Sequence, residues 1–394
     1  MPKVIVGMSG GVDSSVTAYL LKEKGYEVEG LSFILFETRG RTDATTCCSL
    51  QAIEGASKTA SVIGIPHSSV DVRNDFIEKV IEPFVGSYTK GLTPNPCILC
   101  NRHIKFPYLL KEADRRGAEF IATGHYARAV RSSELRVQSS EFLDSSLVSA
   151  RGGRHSSLLK GIDPKKDQSY FLYVLRRGEL ERLLLPLGDY KKEDVRKIAN
   201  NLGLPAAQRP ESQEICFIED RNYFKFIDNI SQFTCGPGTV MDMNEKVLGE
   251  HKGIYHYTVG QRKGLGISSQ EPLYVTKIDA VKNIIYVGSK ESAMMREIEV
   301  GDLNWLTAEG GQSPPSEIPL KKACSLKATV KVRSLMKPEP ANVCVNPDLK
   351  TAKIVFDKPQ WAPAPGQSAV FYDEDVVIAG GVITKVELNE MLGA

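Results

Sequence analysis

The feature that most restricts this chain lies at its start. Residues 3–8 form a β-branched run that reads as a strand, and Ser9-Gly10-Gly11-Val12-Asp13-Ser14-Ser15 follows without a spacer. That turn opens a helix predicted over residues 14–24, with Val16, Tyr19 and Leu20 on one face and Gly25 at its C-terminal stop. The alternation continues with strands at 28–36, 66–72 and 119–123, and helical stretches at 51–63 and 76–84. Strands separated by helices predict an α/β fold with a doubly wound parallel sheet. Ligands of such sheets bind beyond the carboxyl ends of the strands, here the loops 9–15, 37–49 and 124–128.

The texture changes after Pro205. Short strand-like runs at 260–266, 273–278, 284–287, 327–332, 353–356 and 369–372 are broken by Gly and Pro, so this half reads as all-β. A small central domain and a C-terminal β-barrel after about residue 281 are expected, with boundaries at 1–208, 209–280 and 281–394. A further helix is predicted over 191–202, with Asp189 as N-cap and Gly203 just past its end. The Ser- and Arg-rich stretch 131–157 reads as an exposed insertion.

The 394 residues are 42% hydrophobic and 25% charged, which excludes a disordered, collagen-like or coiled-coil chain. No apolar run approaches the roughly 18–20 residues of a membrane span. The N-terminus carries neither a secretory signal nor a transit helix, so a cytoplasmic protein is expected. With 50 Lys+Arg against 48 Asp+Glu, the net charge of +2 is neutral on a polyanionic partner.

Two features carry chemistry. In the loop 9–15, paired glycines allow close approach of a phosphate, and the helix N-terminus offers N–H groups and a favourable dipole. Ser9, Ser14 and Ser15 add hydroxyls, and Asp13 is suited to orienting Mg2+ or a phosphate-bound water. No lysine is present to complete the GxxxxGK[ST] pattern, which favours a site gripping pyrophosphate while the α-phosphate reacts. The bland alternative is a Gly-Ser turn capping a helix.

The second feature is Cys97-Ile98-Leu99-Cys100, in a proline-rigidified turn beside Arg102, His103 and Lys105. Those cations favour the thiolate; a thiol at its ordinary value near 8.5 is only about 3% ionised at pH 7. Half of a zinc knuckle is the alternative, but no second CxxC or His pair completes one. Eight cysteines in a chain without an export signal are not a disulfide framework. Cys216 alone reads as a core thiol, and Cys47-Cys48 as incidental.

Taken in order, the motifs resemble the bacterial tRNA-specific 2-thiouridylase family (MnmA/TrmU) over essentially the whole chain. They are Gly7-Met8-Ser9-Gly10-Gly11-Val12-Asp13-Ser14, residues 93–106, Ala122-Thr123-Gly124-His125-Tyr126-Ala127-Arg128, Lys166-Asp167-Gln168-Ser169-Tyr170-Phe171-Leu172, residues 212–217 and Tyr257-Thr258-Val259-Gly260-Gln261-Arg262-Lys263-Gly264. The first alone indicates only the wider ATP-pyrophosphatase (PP-loop) superfamily. The resemblance implies that Gly7, Met8, Ser9, Gly10, Gly11, Val12, Asp13 and Ser14 bind ATP, with Phe33 and Gly124 lining the pocket. It makes Cys100 the nucleophile and Cys216 the persulfide carrier. Asn95, Pro96 and Cys97 fall at target-base positions, and His125, Lys166, Asp167, Gln168, Arg333, Ser334 and Gln367 at tRNA-contacting positions. The implied cofactors are ATP and Mg2+, and the implied partners are tRNA and a cysteine desulfurase or sulfur-relay protein. Familiar members carry Asp at position 97. Cys97 therefore puts a proton-transfer role there in doubt, and makes Cys97, Cys100 and Cys216 a possible ligand set for an iron–sulfur cluster.

The implied reaction is ATP-dependent 2-thiolation of the wobble uridine. The basic run Lys321, Lys322, Lys327, Lys331, Arg333 and Lys337 suits an RNA backbone, or equally a solvated barrel face. The rival enzyme is another ATP pyrophosphatase, activating a small-molecule carbonyl for amination. A non-enzymatic RNA-binding module is the second rival.

Overall fold

The computed structural model describes residues 1–36, 50–131, 156–208, 215–218, 222–230, 236–306, 324–347 and 350–387. The chain forms two compact units. One comprises Met1–Ile81, Pro96–Asn222 and Asp375–Val377, and the other Glu82–Asn95, Tyr223–Glu374 and Ile378–Ala394.

The first unit is built on a parallel sheet of β1 (Lys3–Gly7), β2 (Glu27–Ile34), β3 (His67–Asp71), β4 (Phe120–Ala122) and β5 (Leu183–Leu184), in the order β3-β2-β1-β4-β5. Val4, Ile5 and Val6 are all fully buried, as a central strand covered on both faces requires. Helices α1 (Val12–Glu23) and α2 (Leu50–Ile63) supply Val16, Ala18, Ala56 and Ala60 to the core against Val4, Val6 and Ala122. Each large apolar side chain buried in this way contributes about 1.5–3 kcal/mol. The chain leaves β1 toward β2 and β3 on one side and returns with β4 on the other. The order therefore reverses between β1 and β4, the place where open α/β sheets bind ligands. Gly25 takes φ +82 beyond α1, as its predicted stop requires.

Pro96–Arg115 is continuous helix: α3 (Pro96–Cys100), a wider-wound segment over Asn101–Lys105, and α4 (Phe106–Arg115). The CxxC thus lies on the opening turn of a helix rather than in the expected turn. Asn95-Pro96 is the signal that sequence reading passed over, an N-cap residue type followed by Pro at the first helical position. Helix α5 (Lys192–Asn201) is preceded by Lys191, not by the expected cap Asp189, which ends a short 3-10 turn. Its N-terminal end is capped instead from a distance, the Lys192 N–H donating to Asp163 Oδ2 at 3.1 Å.

The second unit is not all-β: α6 (Tyr223–Ile230) is helical. A four-stranded sheet follows, made of β6 (Gly238–Met241), β7 (Val247–His251), β8 (Tyr274–Asp279) and β9 (Ile284–Gly288), in the order β8-β9-β6-β7 around Val240, Val275, Ile285 and Val287. The expected strand at 260–266 is absent, because Gly260, Gly264 and Gly266 all take positive φ and break extension. Strand β9, expected near the start of the barrel, pairs with β8 and β6 instead. The barrel strands are β10 (Met294–Trp305), β11 (Cys324–Lys331), β12 (Glu339–Val345), β13 (Ala352–Trp361), β14 (Ser368–Asp373) and β15 (Val376–Glu387). They run in the order β10-β13-β12-β11-β14-β15, and β10 also pairs with β15, closing the barrel around Trp305, Val343, Ile354, Phe356 and Phe371. Closure pairs the first and last of these six strands with each other. No described helix is long and apolar enough to cross a membrane.

Candidate active site

At the carboxyl end of β1 the chain turns through Gly10 at φ +72 into α1, whose N-terminus carries no side-chain cap. The first N–H groups of α1 thus lie in the crevice beside β4, suited to an anion. Ser14 and Ser15 are turned into the helix: Ser14 Oγ donates to the Gly11 carbonyl at 3.2 Å and Ser15 Oγ to the same oxygen at 2.8 Å. The buried Ser15 is therefore a stitch of the turn rather than an expected ligand donor, whereas Ser9 is exposed. Ser32 Oγ donates to the Met8 carbonyl at 2.7 Å and is held by His67 Nε2 at 2.9 Å, which fixes the loop's entry from β2 and β3.

Gly124, just beyond β4, lies against the loop. A Cβ there would sit 2.8 Å from the Asp13 carbonyl carbon and the Ser14 nitrogen, so only glycine fits. Phe33, near the end of β2, meets Tyr108 of α4 edge-on at 6.4 Å between ring centroids. Gly7 to Ser14, Phe33 and Gly124 thus lie at or just beyond the carboxyl ends of β1, β2 and β4.

Asp13 is the residue whose surroundings differ most from expectation. Lys192 Nζ donates to both its carboxylate oxygens at 2.7 Å, and the Tyr126 hydroxyl donates to Oδ1 at 2.7 Å. The loop's carboxylate therefore presents no open ligand set for Mg2+. Lys192 lies 179 residues away in sequence, so no local pattern joins the two.

A helix connecting parallel strands runs antiparallel to them, so the start of Pro96–Arg115, which leads into β4, lies on the same carboxyl edge as the loop. Cys97 is exposed and Cys100 buried. Cys100 is the last residue before the wider-wound segment, an irregularity concentrated at functional sites. Asn101 follows it, buried, with its amide donating to the Phe171 carbonyl at 2.9 Å. Cys216 is half-buried in the short described stretch Ile215–Ile218, which Phe217 anchors edge-on to Phe76 at 5.7 Å. Among the described residues no group of three or more His, Cys, Asp or Glu side chains is placed to hold a metal ion. The three thiols thus do not form the ligand set expected for an iron–sulfur cluster. Cys47, Cys48 and most of the 131–157 insertion lie outside the described residues; its flanks, Ala127–Arg131 and Ser156–Lys160, pair as an antiparallel hairpin.

Of the residues at expected tRNA-contacting positions, several have structural partners. His125 Nδ1 bonds Thr123 Oγ1 at 2.7 Å and the ring stacks on Phe106; burial, assisted by nearby Lys105, holds its pKa well below the ordinary value. Asp167 accepts from the Gly161 and Ser169 N–H groups and the Ser169 hydroxyl. Gln168 is bonded to the Tyr126 backbone, while Lys166 lies half-buried in the same loop. In the second unit, Arg333 donates to the Val259 and Ala362 carbonyls at 2.9 and 2.6 Å, and Gln367 Nε2 to the Thr93 carbonyl at 2.9 Å. Ser334 is half-buried beside Leu335, which is 94% exposed. The expected basic run divides: Lys331 is buried, Lys327 and Lys337 are exposed, and Lys321 and Lys322 lie outside the described residues.

Three family profiles match the chain: a tRNA methyl transferase HUP domain over residues 2–220, a tRNA methyl transferase PRC-barrel domain over 225–289 and an aminomethyltransferase beta-barrel domain over 295–383. Relatives matching nearly the whole length carry a more specific name. A tRNA-specific 2-thiouridylase MnmA 2 of Thermoanaerobacter sp. (strain X514) is 44% identical over 386 residues, covering 97% of this chain and 98% of the relative. The tRNA-specific 2-thiouridylase MnmA of Clostridioides difficile (strain 630) is 41% identical, with 97% and 98% covered. That of Halothermothrix orenii is 42% identical, with 97% and 99% covered. With two-fifths of its residues shared along its full fold, the chain belongs to the tRNA-specific 2-thiouridylase MnmA family.

Proposed function

We propose that this protein is an ATP-dependent tRNA uridine 2-sulfurtransferase acting on the wobble position. The observation that carries the reading is the placement, on one sheet edge, of an uncapped helix N-terminus behind a glycine loop and a cysteine-bearing helix start, in a chain that aligns end to end with 2-thiouridylases.

The chemistry needs both parts. The C2 carbonyl of uracil is flanked by two nitrogens, a poor electrophile with a poor leaving group. Attack of O2 on the α-phosphate of ATP releases pyrophosphate and leaves O2 as a phosphate ester. The loop around Gly10 and Gly11 would bind the departing pyrophosphate through backbone N–H groups, with Phe33 and Gly124 bordering the nucleotide. Mg2+ accompanying ATP would add positive charge at the phosphates. In the second step Cys216 carries a persulfide. Cys100 attacks the Cys216 sulfur, forming a disulfide and releasing sulfide, which adds at C2 and expels AMP with the original oxygen; alternatively, the terminal persulfide sulfur adds at C2, AMP leaves, and Cys100 then attacks Cys216 Sγ, breaking its bond to the transferred sulfur and forming the same disulfide. The two thiols lose the two electrons that the transferred sulfur gains, so an external reductant must reopen the disulfide. Asn95, Pro96 and Cys97 are proposed to flank the base, which is cheaply unstacked in an anticodon loop. The barrel whose strands run from Met294 to Glu387 is proposed as a tRNA-binding domain, a cysteine desulfurase or relay protein as sulfur donor, and the cytoplasm, where tRNA and ATP meet, as the compartment.

The test is nucleoside mass spectrometry after incubating the full chain anaerobically with unmodified tRNA, Mg-ATP and a persulfide donor. The expected product is 2-thiouridine with equimolar AMP. Cys216→Ser should abolish the product while sparing ATP and tRNA binding; normal thiolation by that variant would overturn the carrier role. Pyrophosphate release driven by a small carbonyl metabolite, without tRNA, would instead favour the amidating rival.

A further inference from the structure

A phosphate-binding loop that contains a carboxylate poses an electrostatic problem. Asp13 is the second residue of α1, inside the turn whose N–H groups face the anion site. Unpaired, it would repel the triphosphate it is meant to receive. The structure answers with a cation from far along the chain: Lys192 Nζ forks the carboxylate at 2.7 Å to each oxygen. The lysine side chain is only 8% exposed against 35% for the Asp13 side chain. The pair is braced on other sides as well. Tyr126 donates its hydroxyl to Asp13 Oδ1 at 2.7 Å, and its ring lies 5.5 Å from Lys192 Nζ. Gly124 abuts the Asp13–Ser14 peptide, and Asp163 fixes the backbone at Lys192.

We propose that Lys192 is a positioning residue of the adenylation site: it neutralises Asp13 and holds that carboxylate away from both the phosphates and the metal, so that the loop binds pyrophosphate through backbone N–H groups alone. The assignment rests on the nucleotide reading of the loop given above. It differs from the metal-orienting role that the sequence suggests for Asp13.

The test is calorimetric titration of the full chain with an α,β-methylene ATP analogue and Mg2+, for wild type, K192M, K192R, D13N and the double variant D13N/K192M. K192M is expected to weaken binding by roughly 10- to 100-fold, because a partly desolvated carboxylate then faces the phosphates unpaired. Removing both charges should return the affinity to within about threefold of wild type, and K192R should keep most of it. A double variant as weak as K192M would overturn the proposal in favour of direct contact between Lys192 and the phosphates. Loss of binding in D13N alone, matched by loss of its Mg2+ dependence, would overturn it in favour of a metal-ligand role. Should K192M melt below the assay temperature, comparing D13N with D13N/K192M decides: equal affinities support the proposal, and a weaker double variant overturns it. A wild-type protein that does not bind the analogue refutes the nucleotide reading itself, and the assignment falls with it. A wild type that binds it yet makes no 2-thiouridine leaves the assignment standing while the proposed activity fails.

Discussion

Gln168 holds Tyr126 from both sides: its side-chain Oε1 accepts the Tyr126 N–H at 3.0 Å, and its own N–H donates to the Tyr126 carbonyl at 2.8 Å. Tyr126 is 3% exposed, so the bonds are shielded from water. A residue at a position implied to touch tRNA is therefore also a structural bracket on the segment that carries Gly124 and reaches Asp13. Gln168→Ala removes the side-chain acceptor of a buried N–H, at a cost of about 1–3 kcal/mol. The expected outcome is a lowered melting temperature and weaker ATP binding. Gln168→Glu, which keeps the acceptor, should recover much of both. An alanine variant with unchanged melting but weakened tRNA binding would assign Gln168 to the RNA surface instead.

Arg333 shows the same division of labour in the second unit. Its guanidinium joins the Val259 and Ala362 carbonyls, beside Gly260, where a Cβ would come 2.9 Å from Ala362 Cβ. Lys327 and Lys337 are exposed. For every RNA phosphate that a substitution leaves without its lysine, the slope of log affinity against log salt should shrink by roughly 0.7–0.9. K327A/K337A is therefore expected to flatten the salt dependence of tRNA binding without lowering the melting temperature. R333A should lower the melting temperature and change the slope by less. Equal slopes for wild type and the double lysine variant would remove these lysines from the RNA surface.

Much of this was legible in the chain, for reasons that differ by element. The β-branched run at Val4–Val6 and the stop at Gly25 are local signals, and both lie where propensity and turn chemistry place them. In the barrel, β11, β13 and β14 were readable as short strand-like runs between Gly and Pro, whereas β10, β12 and β15 were not, and the closure through β10 and β15 joins residues some eighty positions apart. Three things were not legible. The opening turn of α3 was hidden because prolines mark turns as readily as helix starts. Helix α6 was hidden by a strand-rich context. The Lys192–Asp13 pair was hidden because a long-range ion pair leaves no periodicity behind. Basic character was likewise readable in Lys331 and Arg333, but whether a cation faces solvent or a carbonyl is decided only by packing.

The histidines set an acid limit on stability. Burial is the leading cause that lowers the pKa of His67, His125, His251 and His256 from 6.5. Each is therefore neutral in the fold at a pH where the unfolded chain takes up a proton. With the folded value below the unfolded one, this contribution is full above about pH 6.5 and is lost as pH falls below it, by up to about 1.4 kcal/mol per pH unit per histidine. The carboxylates whose pKa is lowered, Asp71, Asp75, Glu112 and Glu291, act only near and below their ordinary values of 3.8 and 4.5. Between pH 7.5 and 5.5 the melting temperature is thus expected to fall, and His67→Gln should make that fall shallower. An unchanged pH profile in the variant would show that His67 carries no share of it.

Phe217 is the handle by which the fold holds the proposed sulfur carrier. It is 5% exposed and meets Phe76 edge-on, while its neighbour Cys216 is half-buried. Truncation to alanine removes a buried ring, at a cost of about 3–5 kcal/mol if the core cannot collapse around the gap. The short segment Ile215–Ile218 contributes few other buried groups, since only Phe217 and Ile218 in it are buried, so the loss should loosen the carrier locally rather than unfold the parallel sheet. Phe217→Ala is therefore expected to lower the rate of 2-thiouridine formation at saturating ATP and tRNA, with the binding of both little changed. Phe217→Leu, which refills most of the volume, should restore most of the rate. A variant that loses ATP binding in parallel with thiolation would mean that the ring supports the sheet as a whole and not the cysteine beside it.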